Sequence, residues 1–204
     1  YRVVATHGSA VKEREIEVSA GEQTEVTFNL DTGYARCHAT LTEGGAPIQK
    51  DVYWEVYRTE TNLEGRRKRI AYSYEPRTLL RLSAGRYHLR VKHGDAAATR
   101  DVEITAGKLS QMSIALNAGY VRLSAIMADG KSPVQKDVYW NVYNIETDLE
   151  GRRRQIAYSY DAAALLTLSA GRYYVVGRYG GAEQSGEVAV LPGELVELMI
   201  EFQQ

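Results

Sequence analysis

Cysteine, histidine and any surplus of one charge are scarce in this chain, and each scarcity removes a class of function. A single cysteine, Cys37, in 204 residues leaves no intramolecular disulfide and no cysteine cluster for a metal. A small hydrophobe in a core strand is the expectation for it. The 25 basic side chains are matched by 26 acidic ones, with no basic stripe and no acidic tail, so a nucleic-acid partner is not expected. No apolar run approaches the roughly 18–20 residues that a membrane-spanning helix needs. Reactive motifs are missing as well. There is no Cys-x-x-Cys, no calcium loop of the Asp-x-Asp-x-Asp-Gly kind, no phosphate-cradling glycine loop, no Gly-x-Ser-x-Gly elbow and no Asn-x-Ser/Thr acceptor. Neither an enzyme nor a cofactor is expected.

What the chain does have is repetition, at a spacing of 86 residues without a gap. Gln49-Lys50-Asp51-Val52-Tyr53-Trp54 returns as Gln135-Lys136-Asp137-Val138-Tyr139-Trp140. Ser83-Ala84-Gly85-Arg86-Tyr87 returns as Ser169-Ala170-Gly171-Arg172-Tyr173. Two whole repeats, 33–118 and 119–204, follow residues 1–32, which match the last third of a repeat. Tandem arrays span distance or present one surface several times. The four histidines do not recur in 119–204. His7 and His93 precede a turn glycine at matching positions, but Tyr179 stands there in the last copy, so a repeated metal site or catalytic base is not expected.

Alternation of apolar and polar residues identifies strands throughout. Val138, Trp140 and Val142 fall on one face of a strand, and Tyr139, Asn141 and Tyr143 on the other. Turn pairs at Asp129-Gly130, Glu150-Gly151, Ala170-Gly171, Gly180-Gly181 and Pro192-Gly193 separate the runs. They predict strands over 119–128, 136–145, 152–160, 164–168, 172–179, 184–190 and 194–202. Seven short antiparallel strands in an 86-residue repeat point to an all-β protein of tandem immunoglobulin-like sandwiches. Trp54 and Trp140 sit mid-strand as core residues. The Leu-Ser-Ala-Gly-Arg-Tyr segment ending at Tyr87, and again at Tyr173, resembles the turn-then-tyrosine corner of immunoglobulin-like sandwiches, which implies a ring filling the core edge while its hydroxyl bonds backbone.

The pattern Leu-x-Ala-Gly-x-Tyr, then a hairpin, then a strand after Ala-Gly or Pro-Gly, resembles bacterial immunoglobulin-like or prealbumin-like repeats. Carboxypeptidase-regulatory-like modules are the nearest kind, and similar repeats accompany von Willebrand factor A-type domains in bacterial envelope proteins. The resemblance implies spacers, adhesive elements or accessory binding domains, a periplasmic or cell-surface location, and no catalytic residues. Some bacterial surface sandwiches carry a Lys–Asn isopeptide; no set of Lys, Asn and acid recurs at matching positions, so none is predicted.

Joints between repeats are short. Leu30-Asp31-Thr32-Gly33 and Asn117-Ala118-Gly119 pass from one repeat to the next with no Gly/Ser or Pro-rich linker, which predicts a semi-rigid rod of modules. Residues 1–32 are expected to supply the last three strands of a sandwich. Their unfinished core and unpaired edge would be covered by sequence outside them or by a neighbouring subunit.

The copies have diverged unevenly. From 47 to 87, 29 of 41 positions match 133–173; from 88 to 118, only 6 of 31 match. Cores tolerate hydrophobic exchange, so packing keeps a pattern and not identities. A recent partial duplication would also leave identity without use. The alternative is a surface shared by both copies: Tyr53, Tyr57, Glu60, Arg66 and Arg67, with Tyr139, Tyr143, Glu146, Arg152 and Arg153 as their counterparts. If Ile70 faces inward, Ala71 and Ser73 (Ala157 and Ser159) lie beside those tyrosines on the outer face. Tyr72, Tyr74, Tyr158 and Tyr160 then fall to the core or its rim. The expected partners are other copies of the chain, neighbouring domains of a longer parent, or a glycan or protein ligand for the tyrosine sheet.

Overall fold

Strand after strand alternates buried and exposed residues, as the sequence pattern demands, and no helix interrupts them among the described residues. The computed structural model describes residues 1–129 and 132–203. Gly130, half of one expected turn, lies outside them. In chain order the strands are β1 (Arg2–His7), β2 (Ala10–Glu15), β3 (Thr32–Thr40), β4 (Val52–Thr61), β5 (Arg67–Ser73), β6 (Arg77–Ser83), β7 (Gly85–His93) and β8 (Ala96–Ile104). Then come β9 (Leu109–Ala115), β10 (Ala118–Met127), β11 (Tyr139–Thr147), β12 (Arg153–Ser159), β13 (Ala164–Ser169), β14 (Gly171–Tyr179), β15 (Ala182–Val190) and β16 (Leu195–Phe202).

Two compact units divide the chain. Unit 1 comprises residues 1–39, 47–91 and 99–114; unit 2 comprises 40–46, 92–98 and 115–204. In unit 2, a three-stranded sheet ordered β13-β10-β16 and a four-stranded sheet ordered β12-β11-β14-β15 enclose one core. Unit 1 repeats the arrangement as β6-β3-β9 and β5-β4-β7-β8, and adds the β1–β2 hairpin. The sandwiches are not wholly antiparallel. β10 and β16 run parallel, from Tyr120↔Leu195 to Met127↔Phe202. Strands that reverse direction at each connection leave the first and seventh pointing the same way, so they pair in parallel when they meet.

Each core is built around the expected anchors. Trp54 and Trp140 are fully buried, and their indole N–H groups donate to the carbonyls of Glu75 (3.1 Å) and Asp161 (3.0 Å). Cys37 is buried in β3 as a small core residue, and Leu123 occupies the matching place in β10. In residues 1–32 only two of the three expected strands form; 16–31 adopt no strand. In unit 2 the last strand is held by the first strand of the same sandwich, β16 on β10. Among the described residues no first strand pairs with 16–31 in this way.

Candidate functional site

The candidate surface of each repeat lies on the second and third strands of the sandwich and the turn between them. The β4–β5 pairing sets Trp54 opposite Ser73, Glu55 opposite Tyr72 and Val56 opposite Ala71, then shifts so that Tyr57 opposes Arg69. Ile70 is the extra residue of this bulge. In unit 2, Val142 opposes Ala157 and Tyr143 opposes Gln155, leaving Ile156 extra. A bulge reverses which face each residue takes beyond it. Ile156 and Ala157 therefore both pack toward the core.

This overturns the expected placement of the small residues. Ala71 and Ser73, like Ala157 and Ser159, face inward with the tryptophan side of the sheet. Tyr72 and Tyr74 are turned outward, with 60% and 70% of their surface exposed; Tyr158 and Tyr160 match them at 59% and 70%. Tyr53 and Tyr139 do lie on the outer face, and they join the turned-out rings. Tyr53 stacks on Tyr74 at 4.8 Å between ring centres, and Tyr72 meets Tyr74 edge-on at 6.0 Å. In the other sandwich Tyr139 stacks on Tyr160 at 4.8 Å and Tyr158 meets Tyr160 edge-on at 5.9 Å. Offset and edge-to-face contacts are the favoured geometries for aromatic quadrupoles. The same three-ring cluster thus stands on both units.

Tyr57 and Tyr143 share the outer face but stay out of the cluster. Tyr57 sits half-buried beside Glu55, where its hydroxyl favours the charged carboxylate. Glu55 is itself buried and ion-paired to Arg69 (3.1 Å) and Arg90 (3.5 Å). Burial penalises the Glu55 carboxylate, but Tyr57 and the two guanidinium groups outweigh that penalty and hold its pKa below the ordinary value. Arg69 also donates to the Tyr53 hydroxyl at 2.8 Å and lies over the Tyr72 ring at 5.4 Å. In unit 2 this ionic floor is neutral. Asn141, Gln155 and Val176 replace Glu55, Arg69 and Arg90, and the Gln155 amide donates to Asn141 Oδ1 at 3.0 Å. The rings are kept while the groups beneath them change.

The other end of the β4–β5 pair is a rigid turn. Asn62 Oδ1 accepts from the backbone N–H groups of Glu64 (3.1 Å) and Arg66 (2.8 Å). Asp148 Oδ1 accepts from Glu150 (3.0 Å) and Arg152 (2.8 Å) in the same way. Gly65 and Gly151 take positive φ angles of 73° and 77°, which the turn requires. Each turn holds a leucine, Leu63 or Leu149, entirely in solvent. Arg66 reaches Glu64 at 3.5 Å, and Arg67 donates to the Thr59 carbonyl at 3.4 Å. Arg152 bridges Asp148 (3.2 Å) and Glu150 (3.1 Å), while Arg153 lies over the Tyr174 ring at 4.7 Å. Glu60 and Glu146 are exposed on the preceding strand. The predicted charged residues therefore gather at the turn, apart from the rings. Among the described residues no group of three or more His, Cys, Asp or Glu side chains is gathered to hold a metal ion.

Tyr72, Tyr74, Tyr158 and Tyr160, which complete the clusters around Tyr53 and Tyr139, and the turn residues Leu63 and Leu149 were what sequence reasoning missed. The adjacent pair Ile70-Ala71, apolar at both positions, is the one local sign of the bulge that turns the rings outward.

No protein-family model matches this chain, and no curated protein sequence does. Among solved structures, the minor pilin of Streptococcus agalactiae aligns over 84% of this chain and 96% of its own, at 11% identity and a TM-score of 0.43. The shaft pilin of Lactobacillus rhamnosus GG aligns over 83% and 96%, at 9% identity and 0.35. The Bacillus anthracis TIE protein aligns over 85% of this chain at 14% identity and 0.36, and this chain spans only 34% of that one. Likenesses this distant carry no argument about what the chain does.

Proposed function

We propose that this chain is a segment of a bacterial envelope or extracellular protein whose sandwiches are non-enzymatic structural modules. Each module presents one ring cluster and one leucine-tipped turn for contact with other copies. The observation that carries the reading is the recurrence of the ring cluster, with a 4.8 Å stack in each unit, over a floor that has changed from ionic to neutral. Core packing does not explain it, because the rings lie outside the core. Tyrosine suits such a surface, offering area and a polar tip at little entropy cost. The envelope or extracellular placement follows from the resemblance of the Leu-x-Ala-Gly-x-Tyr segment.

A glycan or soluble protein ligand is the second reading, supported by the exposure of Tyr72 and Tyr158, 60% and 59% of whose surface is open to solvent. The test is light scattering of chain 1–204 over a wide concentration range, beside a variant with Tyr72→Ala, Tyr74→Ala, Tyr158→Ala and Tyr160→Ala. Mass that grows with concentration and is lost in the variant supports assembly through the rings. A monomer throughout overturns assembly, and a glycan screen then decides the second reading.

A further inference from the structure

The balanced charge of the whole chain conceals two sandwiches of opposite sign. Residues 33–118 carry fourteen basic and nine acidic side chains; residues 119–204 carry eight basic and eleven acidic. The difference is concentrated in two places.

The first is the β4–β5 hairpin of unit 1. Arg58, Arg66, Arg67, Lys68 and Arg69 face only Glu60 and Glu64 between residues 58 and 69, whereas the matching stretch of unit 2 has three charges of each sign. Arg58, Arg66, Arg67 and Lys68 line an open cavity with Glu60, and β5 is the edge strand of its sheet. Leu63 stands exposed at the tip.

The second lies in unit 2. From residue 179 to the end there are five glutamates and no lysine or arginine. β15 and β16 are the edge strands of their two sheets and carry four of them, Glu183, Glu187, Glu197 and Glu201, with Glu194 just before β16. Arg178, Arg172 and Arg122 pair with Glu183, Glu187 and Glu197, and Glu194 and Glu201 remain solvent-exposed. Leu191, Leu195 and Met199 are exposed among these acids. One patch is therefore an exposed leucine rimmed by cations. The other is an exposed leucine–methionine strip rimmed by carboxylates.

We propose that the occupant of the basic hairpin of unit 1 is the acidic β15–β16 edge of unit 2 in a second copy of this chain. This rests on the reading of the modules as self-contacting and names the partner surface. Opposite charge makes the encounter favourable and suppresses pairing of like with like, while the exposed apolar side chains are removed from water. Because the two patches differ, the contact is heterologous, and copies add head to tail.

The test is the weight-average mass of chain 1–204 at low and high salt, for the parent and two exposed-surface variants. One is Arg66→Glu/Arg67→Glu/Lys68→Glu; the other is Glu194→Lys/Glu201→Lys. The parent is expected to reach about twice its 22.8 kDa or more at low salt, and to fall back toward monomer at high salt. Each variant alone should stay monomeric, with an unchanged far-ultraviolet spectrum as the check on folding. A mixture of the two, one now acidic on both patches and the other less acidic on its edge, should regain mass. A parent that stays monomeric, or association indifferent to salt and to both reversals, overturns the proposal. Association indifferent to charge but lost with Tyr72→Ala/Tyr158→Ala overturns it while leaving the self-contact reading intact.

Discussion

The hydroxyl of Tyr87 donates to the carbonyl of Ser83, four residues back, at 2.8 Å, and Tyr173 does the same to Ser169 at 2.8 Å. Both rings are buried, so each bond satisfies a hydroxyl that would otherwise be stranded and ties β7 or β14 to the strand before it. Replacing either tyrosine with phenylalanine keeps the ring and leaves the Ser83 or Ser169 carbonyl without this donor. Tyr173→Phe is expected to cost about 1 kcal/mol in a denaturant titration, with an unchanged m-value. A loss near zero would mean that water takes over the carbonyl.

Gly33 and Gly119 are fixed by closeness of approach. A Cβ on Gly119 would lie 2.3 Å from the Leu191 carbonyl oxygen and 2.8 Å from that of Glu194; on Gly33 it would lie 2.3 Å from the Thr105 oxygen. Backbone oxygens cannot swing aside as a side chain can. Gly119→Ala should therefore destabilise unit 2 by about 1–3 kcal/mol, the usual range for overpacking, and Gly33→Ala should do the same to unit 1. Thermal melts of the two variants check this, and a stability gain in either would show that the strand ends can part.

Much of this architecture is legible in the residues, and one face of it is not. Alternation and turn glycines placed the strands of 118–202 to within about three residues, because each strand has one wet and one dry side. Trp54 and Trp140 were readable as anchors for the same reason, and Tyr87 and Tyr173 through their resemblance to the tyrosine corner of immunoglobulin-like sandwiches. The parallel β10–β16 pairing was not, since strand order depends on which edges meet in space. Tyr72 and Tyr74 were misplaced because a period of two was carried through Ile70, where the chain inserts an extra residue. Tyr53, Tyr57 and the arginines of the turn were visible as shared between copies, but their division into rings at one end and charges at the other depends on that bulge.

Cys37 gives a probe of unit 1. Burial pushes its thiol pKa up to about 12, so at pH 8 the native state holds almost no thiolate for an alkylating reagent. Iodoacetamide should leave the native protein unmodified and label it fully in denaturant. The same shift has a linkage. A thiol that ionises near 9 when unfolded and near 12 when folded contributes stability below pH 9 that is lost as pH rises. Cys37→Ala should weaken this alkaline decline, read as stability at pH 8 against pH 10. Rapid labelling of the native protein at pH 8 would show that β3 opens locally.

The floor beneath the rings of unit 1 offers the sharpest electrostatic test. Glu55 is buried, and Arg69 and Arg90 are each about half exposed, so the carboxylate depends on its partners more than they depend on it. Removing the cations and keeping the acid, Arg69→Gln/Arg90→Val, should be the costliest change at pH 7, because it leaves the Glu55 carboxylate without its charge partners. Adding Glu55→Asn to that pair reproduces the neutral floor of unit 2 and should recover most of the loss, so the three effects are strongly non-additive. The pH dependence separates the cases. In the parent, the folded-state pKa of Glu55 lies below the ordinary 4.5, so its contribution is present above that value and is lost as pH falls through the folded pKa. Without the two arginines only Tyr57 opposes the burial penalty. The folded pKa then rises, and the deficit at pH 7 should shrink toward pH 4. Denaturant titrations at pH 4 and pH 7 read this directly, and a deficit that does not change with pH would mean that Glu55 is hydrated and the arginines act by packing alone.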